Sequence, residues 1–247
     1  TLYLEYKGHQ DMVTSISTDP SGEYLLSGSD DCTIKIWEVR TGRCFKTIQT
    51  DDVVRCVEWC PNAALSLVLV AAGNQVLLIN PNVGDTMVTA KKTDAVLKEE
   101  PKSDVVVNER VRTTVQWSEP DEDLYQRGVR IILKHFKKVT QVTWHGRGDF
   151  FASVMPDGLN RSVVISKISG RRSQLPFAKS KGLVQCVLFH PTKPFLFVAT
   201  QRHVRIYDLV KQNLMKKLLT NAKWISTMAI HPLGDNLLVG TYDRKML

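Results

Sequence analysis

The 247-residue sequence predicts an all-β protein of the propeller type, and three observations carry that prediction. Segments made of a strand, a tight turn and a second strand recur, with their turns at Pro20, Pro61, Gly146, Pro191 and Pro232. The spacing is 41 to 45 residues at every interval except the 85 between Pro61 and Gly146; a period of about 40 to 45 with several short strands is what propeller blades produce. The first repeat contains four β-rich runs, MVTSIS, EYLLSGS, TIKIWEV and RCFKTIQ, separated by turn residues. Finally, runs such as LSLVLVAA and FLFVAT are almost continuously apolar, as inner strands covered on both faces by neighbouring blades need to be.

The elements follow in order. Residues 1–7 hold a strand-like stretch in the place an outer strand occupies before each new repeat, so they are expected to be the outer strand of the closing blade. Residues 8–50 form a blade whose hairpins turn at Pro20-Ser21-Gly22, Asp30-Asp31 and Arg40-Thr41-Gly42, where Pro presets φ and Gly tolerates positive φ. Residues 51–92 form the next blade. Residues 93–128 carry Pro101 and Pro120 and no turn-strand-turn rhythm; an acidic insertion with a mobile part is expected in preference to a degenerate blade. VRIILKHF, from Val129, reads as an outer strand leading into the third repeat, and a blade is assigned to residues 129–181. Residues 182–222 form a blade and residues 223–247 part of one. About four complete blades and parts of two more are therefore expected, in a polypeptide that continues past Leu247. The isolated piece should be poorly soluble, because an open ring exposes strand edges and an apolar flank.

Composition narrows the class. An apolar fraction of 43% with 23% charged residues suits a folded globular chain. No apolar run approaches the roughly 18 residues of a spanning helix, and no secretory signal is present, so a soluble protein without membrane association is expected. Five cysteines, Cys32, Cys44, Cys56, Cys60 and Cys186, lie in strand-like segments and read as reduced thiols; Cys56 and Cys60 lack the second pair a metal site needs. The net charge of +8 favours anionic partners. It is unevenly spread: residues 93–127 hold nine acids and five bases, leaving a net +12 on the remainder. No Gly-rich phosphate loop, paired catalytic carboxylates or metal-ligand spacing appears, so neither an enzyme nor a cofactor is expected.

Gly8-His9 before the first strand and SGSDDCTIKIWEV from Ser27 resemble the WD-repeat family, whose terminal dipeptide stands here as Trp37-Glu38 and, degenerate, as Ile79-Asn80 and Tyr207-Asp208. The resemblance implies that His9, Ser27, Asp31 and Trp37 form a structural hydrogen-bond tetrad. A Ser-His-Asp catalytic reading of three of them lacks any sign of an oxyanion hole. His145, His190 and His231 recur at one turn position, which suits turn formation better than a metal cluster spread over three blades. The segments VTQVTWHGRGDF, RRSQLPFAKSKG, FHPTKPFLFVATQRHVRIYDL and MKKLLTNAKWISTMAIHPLGDNLLVGTYDRKML resemble one WD-repeat family closely, the block-of-proliferation family of eukaryotic ribosome-biogenesis proteins. That resemblance implies a seven-bladed domain in a scaffold of the nucleolus and nucleoplasm. It further implies a role in large-subunit precursor rRNA processing on the pre-ribosomal particle. Two partners are implied: a WD-repeat protein with a ubiquitin-like domain, and a pescadillo-type protein bound through an N-terminal region absent here. The alternative is a WD-repeat adaptor that recognises peptides in another nuclear complex. Arg171, Arg172, Lys179, Lys181, Lys211, Lys216 and Lys217 cluster in and around two consecutive outer strands and are the candidate rim patch for RNA phosphate or an acidic partner.

Overall fold

A computed structural model describes residues 2–99, 107–179 and 181–247. Four antiparallel sheets of four or more strands follow one another, with a two-stranded sheet at the end. The first blade is β1 (Val13–Thr18), β2 (Tyr24–Ser29), β3 (Thr33–Glu38) and β4 (Cys44–Gln49), in that spatial order. The second begins with β5 (Val54–Trp59), β6 (Val68–Ala72) and β7 (Gln75–Ile79). After it come a π-helical turn (Thr86–Ala90), α1 (Lys91–Lys98), α2 (Glu109–Arg112), β8 (Val115–Ser118), α3 (Glu122–Gln126) and β9 (Val129–His135). The third blade is β10 (Gln141–Trp144), β11 (Phe150–Val154), β12 (Val163–Lys167) and β13 (Arg172–Gln174). The fourth is β14 (Cys186–Phe189), β15 (Phe195–Ala199), β16 (His203–Asp208) and β17 (Asn213–Leu219). Two strands, β18 (Ile225–Ile230) and β19 (Leu237–Thr241), start a fifth.

The topology corrects one sequence-based boundary. β9 pairs with β7, from Gln75 opposite Lys134 to Ile79 opposite Val129, so it is the outer strand of the second blade and not the opening of the third. The second blade thus resumes after the insertion, β8 adds a fifth strand to its edge, and the third blade starts near Gln141. The physical reason is that β7 offers an open hydrogen-bonding edge, and pairing with it carries Ile131 and Leu133 into the apolar cluster on one sheet face and Val129 and Ile132 into the cluster on the other. Residues 2–7 pair with no strand among the described residues. Tyr6 Oη donates to Val39 O at 2.8 Å, and Leu4 packs 3.2 Å from the Cβ position of Gly42, so this stretch lies against the last turn of the first blade. The expected mobile part of the insertion falls partly on residues 100–106, outside the described residues.

The core sits between blades. The first strands β1, β5, β10, β14 and β18 neighbour one another in sequence order, and each gap is filled by its own apolar cluster. Side chains bond across these gaps where no backbone ladder exists. Thr14 Oγ1 donates to Val54 O at 2.6 Å, Trp59 N donates to Ser17 Oγ at 2.9 Å, and the Gln141 amide exchanges two bonds with Val187 at 2.8 and 2.9 Å. Close approach fixes some residue choices. A Cβ on Gly28 would stand 2.4 Å from Val54 Cγ1, so only glycine lets the first two blades meet there.

The insertion clamps the gap between the second and third blades. Leu97 of α1 and Val115 of β8 join the apolar cluster of that gap. Asp94 accepts from Arg130 Nε at 2.8 Å and from Asn80 Nδ2 at 2.9 Å; burial raises its pKa, but these bonds outweigh that and hold the carboxyl low.

Candidate functional site

In the first blade His9, Ser27, Asp31 and Trp37 meet. Asp31 Oδ2 accepts from His9 Nδ1 at 2.8 Å, which leaves His9 Nε2 to accept the Ser27 hydroxyl proton at 2.7 Å. Trp37 Nε1 donates to the same Ser27 Oγ at 2.8 Å. Asp31 also accepts from Gln10 N, Thr33 N and Thr33 Oγ1. Burial pushes its pKa up, yet the bonds from Thr33, Gln10 and His9 together hold it well below the carboxylate range. The Asp-His-Ser order is that of a hydrolytic triad, so access decides its chemistry. Ser27 is 3% exposed and its oxygen already takes an indole proton, leaving no approach for a carbonyl carbon.

A second, partial copy was not found in the sequence. His135, at the end of β9, bonds Ser153 Oγ through Nε2 at 2.8 Å, and Ser153 occupies in β11 the fourth position that Ser27 holds in β2. Burial drives the His135 pKa down to about 4. The register places Ser166 where Trp37 stands, and the indole comes from elsewhere: Trp117 of β8 donates to Ser173 Oγ at 2.9 Å, which in turn bonds Ser166 Oγ at 2.9 Å. Glu58 faces the same gap. Its carboxylate accepts from Trp144 N at 2.9 Å and Thr143 Oγ1 at 3.3 Å, and burial outweighs these bonds to push its pKa up to about 7.

Cys56 and Cys60 do not converge on a shared ligand. Their thiols reach the separate carbonyls of Val142 and Gly148, and burial pushes both pKa values up to about 11. His145, His190 and His231 each accept turn amides at Nδ1, from Arg147, from Thr192 and Lys193, and from Leu233.

The candidate cations separate. Arg171 is engaged internally: its guanidinium, 20% exposed, donates to Leu97 O at 2.7 Å and pairs with Glu119 at 3.2 Å. Arg172, Lys179, Lys181, Lys211, Lys216 and Lys217 are exposed. Lys216 and Lys217 are consecutive on β17, so they project to opposite sheet faces. Lys216 stands opposite Ile206 and borders the gap to β18 and β19. Lys217 stands opposite Arg205, whose guanidinium donates to Lys181 O, so Lys217 and Lys181 belong to one positive neighbourhood. His203 registers that field: burial first, then Lys217, Arg205 and Arg202, lowers its pKa.

Four-stranded blades carried by a buried His-Ser-Asp-Trp tetrad define a WD-repeat β-propeller, and residues 1–38 match the family model described as "WD domain, G-beta repeat". Over 244 residues, 99% of the chain, the sequence is 64% identical to the "Ribosome biogenesis protein BOP1 homolog" of Drosophila ananassae, with the same identity to those of Drosophila grimshawi and Drosophila mojavensis. The chain belongs to this block-of-proliferation family of WD-repeat proteins. It spans 31% of the length of these curated relatives.

Proposed function

We infer that this propeller serves ribosome biogenesis as a non-enzymatic assembly surface within a longer protein. The observation that carries the reading is the 64% identity across 99% of the chain to proteins named for ribosome biogenesis. The geometry is in keeping with it: the side chains with the strongest catalytic appearance are spent on holding a blade together. In this reading the protein works in the nucleolus and nucleoplasm on the large-subunit precursor particle. It is joined there by a pescadillo-type protein and a WD-repeat protein with a ubiquitin-like domain. Arg172, Lys179, Lys181, Lys211 and Lys217 offer the rim contact for precursor rRNA phosphates. The test is depletion of the full-length protein with rescue by the same chain, followed by sedimentation and precursor analysis. Co-sedimentation with pre-ribosomal particles and accumulation of large-subunit precursor rRNA on depletion are expected. A protein that sediments free, with precursor processing unchanged, would overturn the reading.

A further inference from the structure

Between the third and fourth blades a groove opens on the face that carries the first hairpin turns. Both flanking blades have all four strands, so its walls are complete. Phe150, Phe189, Phe195 and Leu209 form those walls, and Val210, 75% exposed, stands at the lip. The space measures about 230 Å³, below the roughly 300–1,000 Å³ of small-molecule and cofactor pockets and suited to an inserted side chain.

The rim is cationic and uncompensated. Arg147 and Lys193 are exposed, and among the described residues neither has a carboxylate within 4.0 Å. The nearby acids are committed elsewhere. Asp149 accepts from Ser169 N and Oγ at 2.9 Å and stands 4.0 Å from Lys167, while Asp208 caps the amides of Val210 and Lys211. An apolar slot with two unmatched cations at its mouth complements an apolar side chain flanked by carboxylates. A nucleic acid fits less well. Single strands are held by bases stacked on open aromatic faces, whereas His145 meets Phe150 and Phe189 in edge contacts at 6.3 and 5.4 Å, and Lys167 lies over the Phe150 ring at 5.4 Å.

We propose that this groove docks a partner protein through a short segment whose bulky apolar side chain enters between Phe150, Phe189 and Phe195 while neighbouring Asp or Glu residues pair with Arg147 and Lys193. The inference goes beyond the ribosome-biogenesis reading and holds whichever particle the protein serves. It is tested by selecting displayed random peptides on the full-length protein and on its R147E/K193E and V210D variants. All three substitutions are at exposed positions, and unchanged thermal unfolding establishes that the fold is kept. Peptides with an aromatic or large aliphatic residue between acids should be enriched on the unmodified protein. The selected peptides, resynthesised, should bind R147E/K193E about tenfold more weakly, and V210D should also lose affinity. The proposal is overturned if no such peptides are enriched, if those enriched lack acids, or if the variants bind them equally. It is overturned as well if an oligouridylate RNA, and not the peptide, loses affinity in R147E/K193E, since the groove would then be a nucleic-acid contact.

Discussion

Trp37 gives its indole proton to Ser27, Ser27 its hydroxyl proton to His9, and His9 its Nδ1 proton to Asp31, so each link sets the direction of the next. Removing the middle link takes one partner from each of two largely buried groups, the Ser27 hydroxyl and the Asp31 carboxylate. His9→Ala is expected to cost about 1–3 kcal/mol in chemical denaturation followed by circular dichroism, and Trp37→Phe somewhat less. Because Asp31 titrates below its unfolded range, its contribution is present above the ordinary carboxylate pKa and is lost as pH falls beneath it; His9→Ala should weaken that acid dependence. Glu58 and His135 bring opposite slopes to one pH range. Glu58, raised to about 7, makes stability fall as pH rises from 4.5 to 7, since the folded state then holds the extra proton. His135, lowered to about 4, makes stability rise from pH 4 to 6.5, since the unfolded state holds it. Buried His135 accounts for roughly 3 kcal/mol across its window and the less enclosed Glu58 for roughly 1–3 kcal/mol. The unmodified protein should therefore be nearly flat between pH 4.5 and 6.5, Glu58→Gln should gain stability with rising pH, and His135→Gln should lose it. Parallel unfolding curves for all three would refute the assignment.

β9 is the element that decides how the second blade is built. It joins the edge of β7 after an excursion of nearly 50 residues, so the blade is contiguous in space and divided in sequence. Strand content, turn positions and the repeat were legible because Pro or Gly sits at each first hairpin and the inner strands are apolar throughout. The split was not, because a repeat reads strands in chain order, and nothing local in VRIILKHF says which edge it joins. The same limit hid Trp117, an indole in an acidic stretch that substitutes for a residue the third blade lacks. The His135–Ser153 pair has the same 18-residue separation as His9–Ser27, and it was harder to read because Lys134 stands where Gly8 does and Ser166, not an indole, takes the register position of Trp37. Two substitutions test the clamp. Leu133→Ala, at a fully buried position of β9, should cost about 2–5 kcal/mol. Trp117→Phe should cost about 0.5–1.5 kcal/mol and raise amide hydrogen exchange in β8 and β13 while leaving the fourth blade protected. Exchange rising uniformly over all blades would mean that the insertion has no local stapling role.

At the scale of the whole molecule, charge is divided between an acidic insertion and a basic remainder, and the fold places the two differently. The insertion spends part of its charge on partners within the protein, Asp94 on Arg130 and Glu119 on Arg171, whereas Lys179, Lys181 and Lys217 stay exposed. Lys217 stands across from Arg205, which bonds the backbone carbonyl of Lys181, while Lys216 faces the next gap. An RNA strand following the rim would therefore meet the first group and not Lys216. Each phosphate neutralised by Lys or Arg releases counterions, so the number of contacts is read from how steeply affinity falls with salt. In the full-length protein, reversing Lys179, Lys181 and Lys217 to Glu is expected to weaken RNA binding at low salt and to reduce the salt slope by about three. Lys216→Glu should change both much less, and unchanged thermal unfolding would separate lost contacts from a lost fold. A slope that stays the same in the triple variant, or that drops equally for Lys216→Glu alone, would place the RNA elsewhere on the propeller and leave this rim as a solvated face.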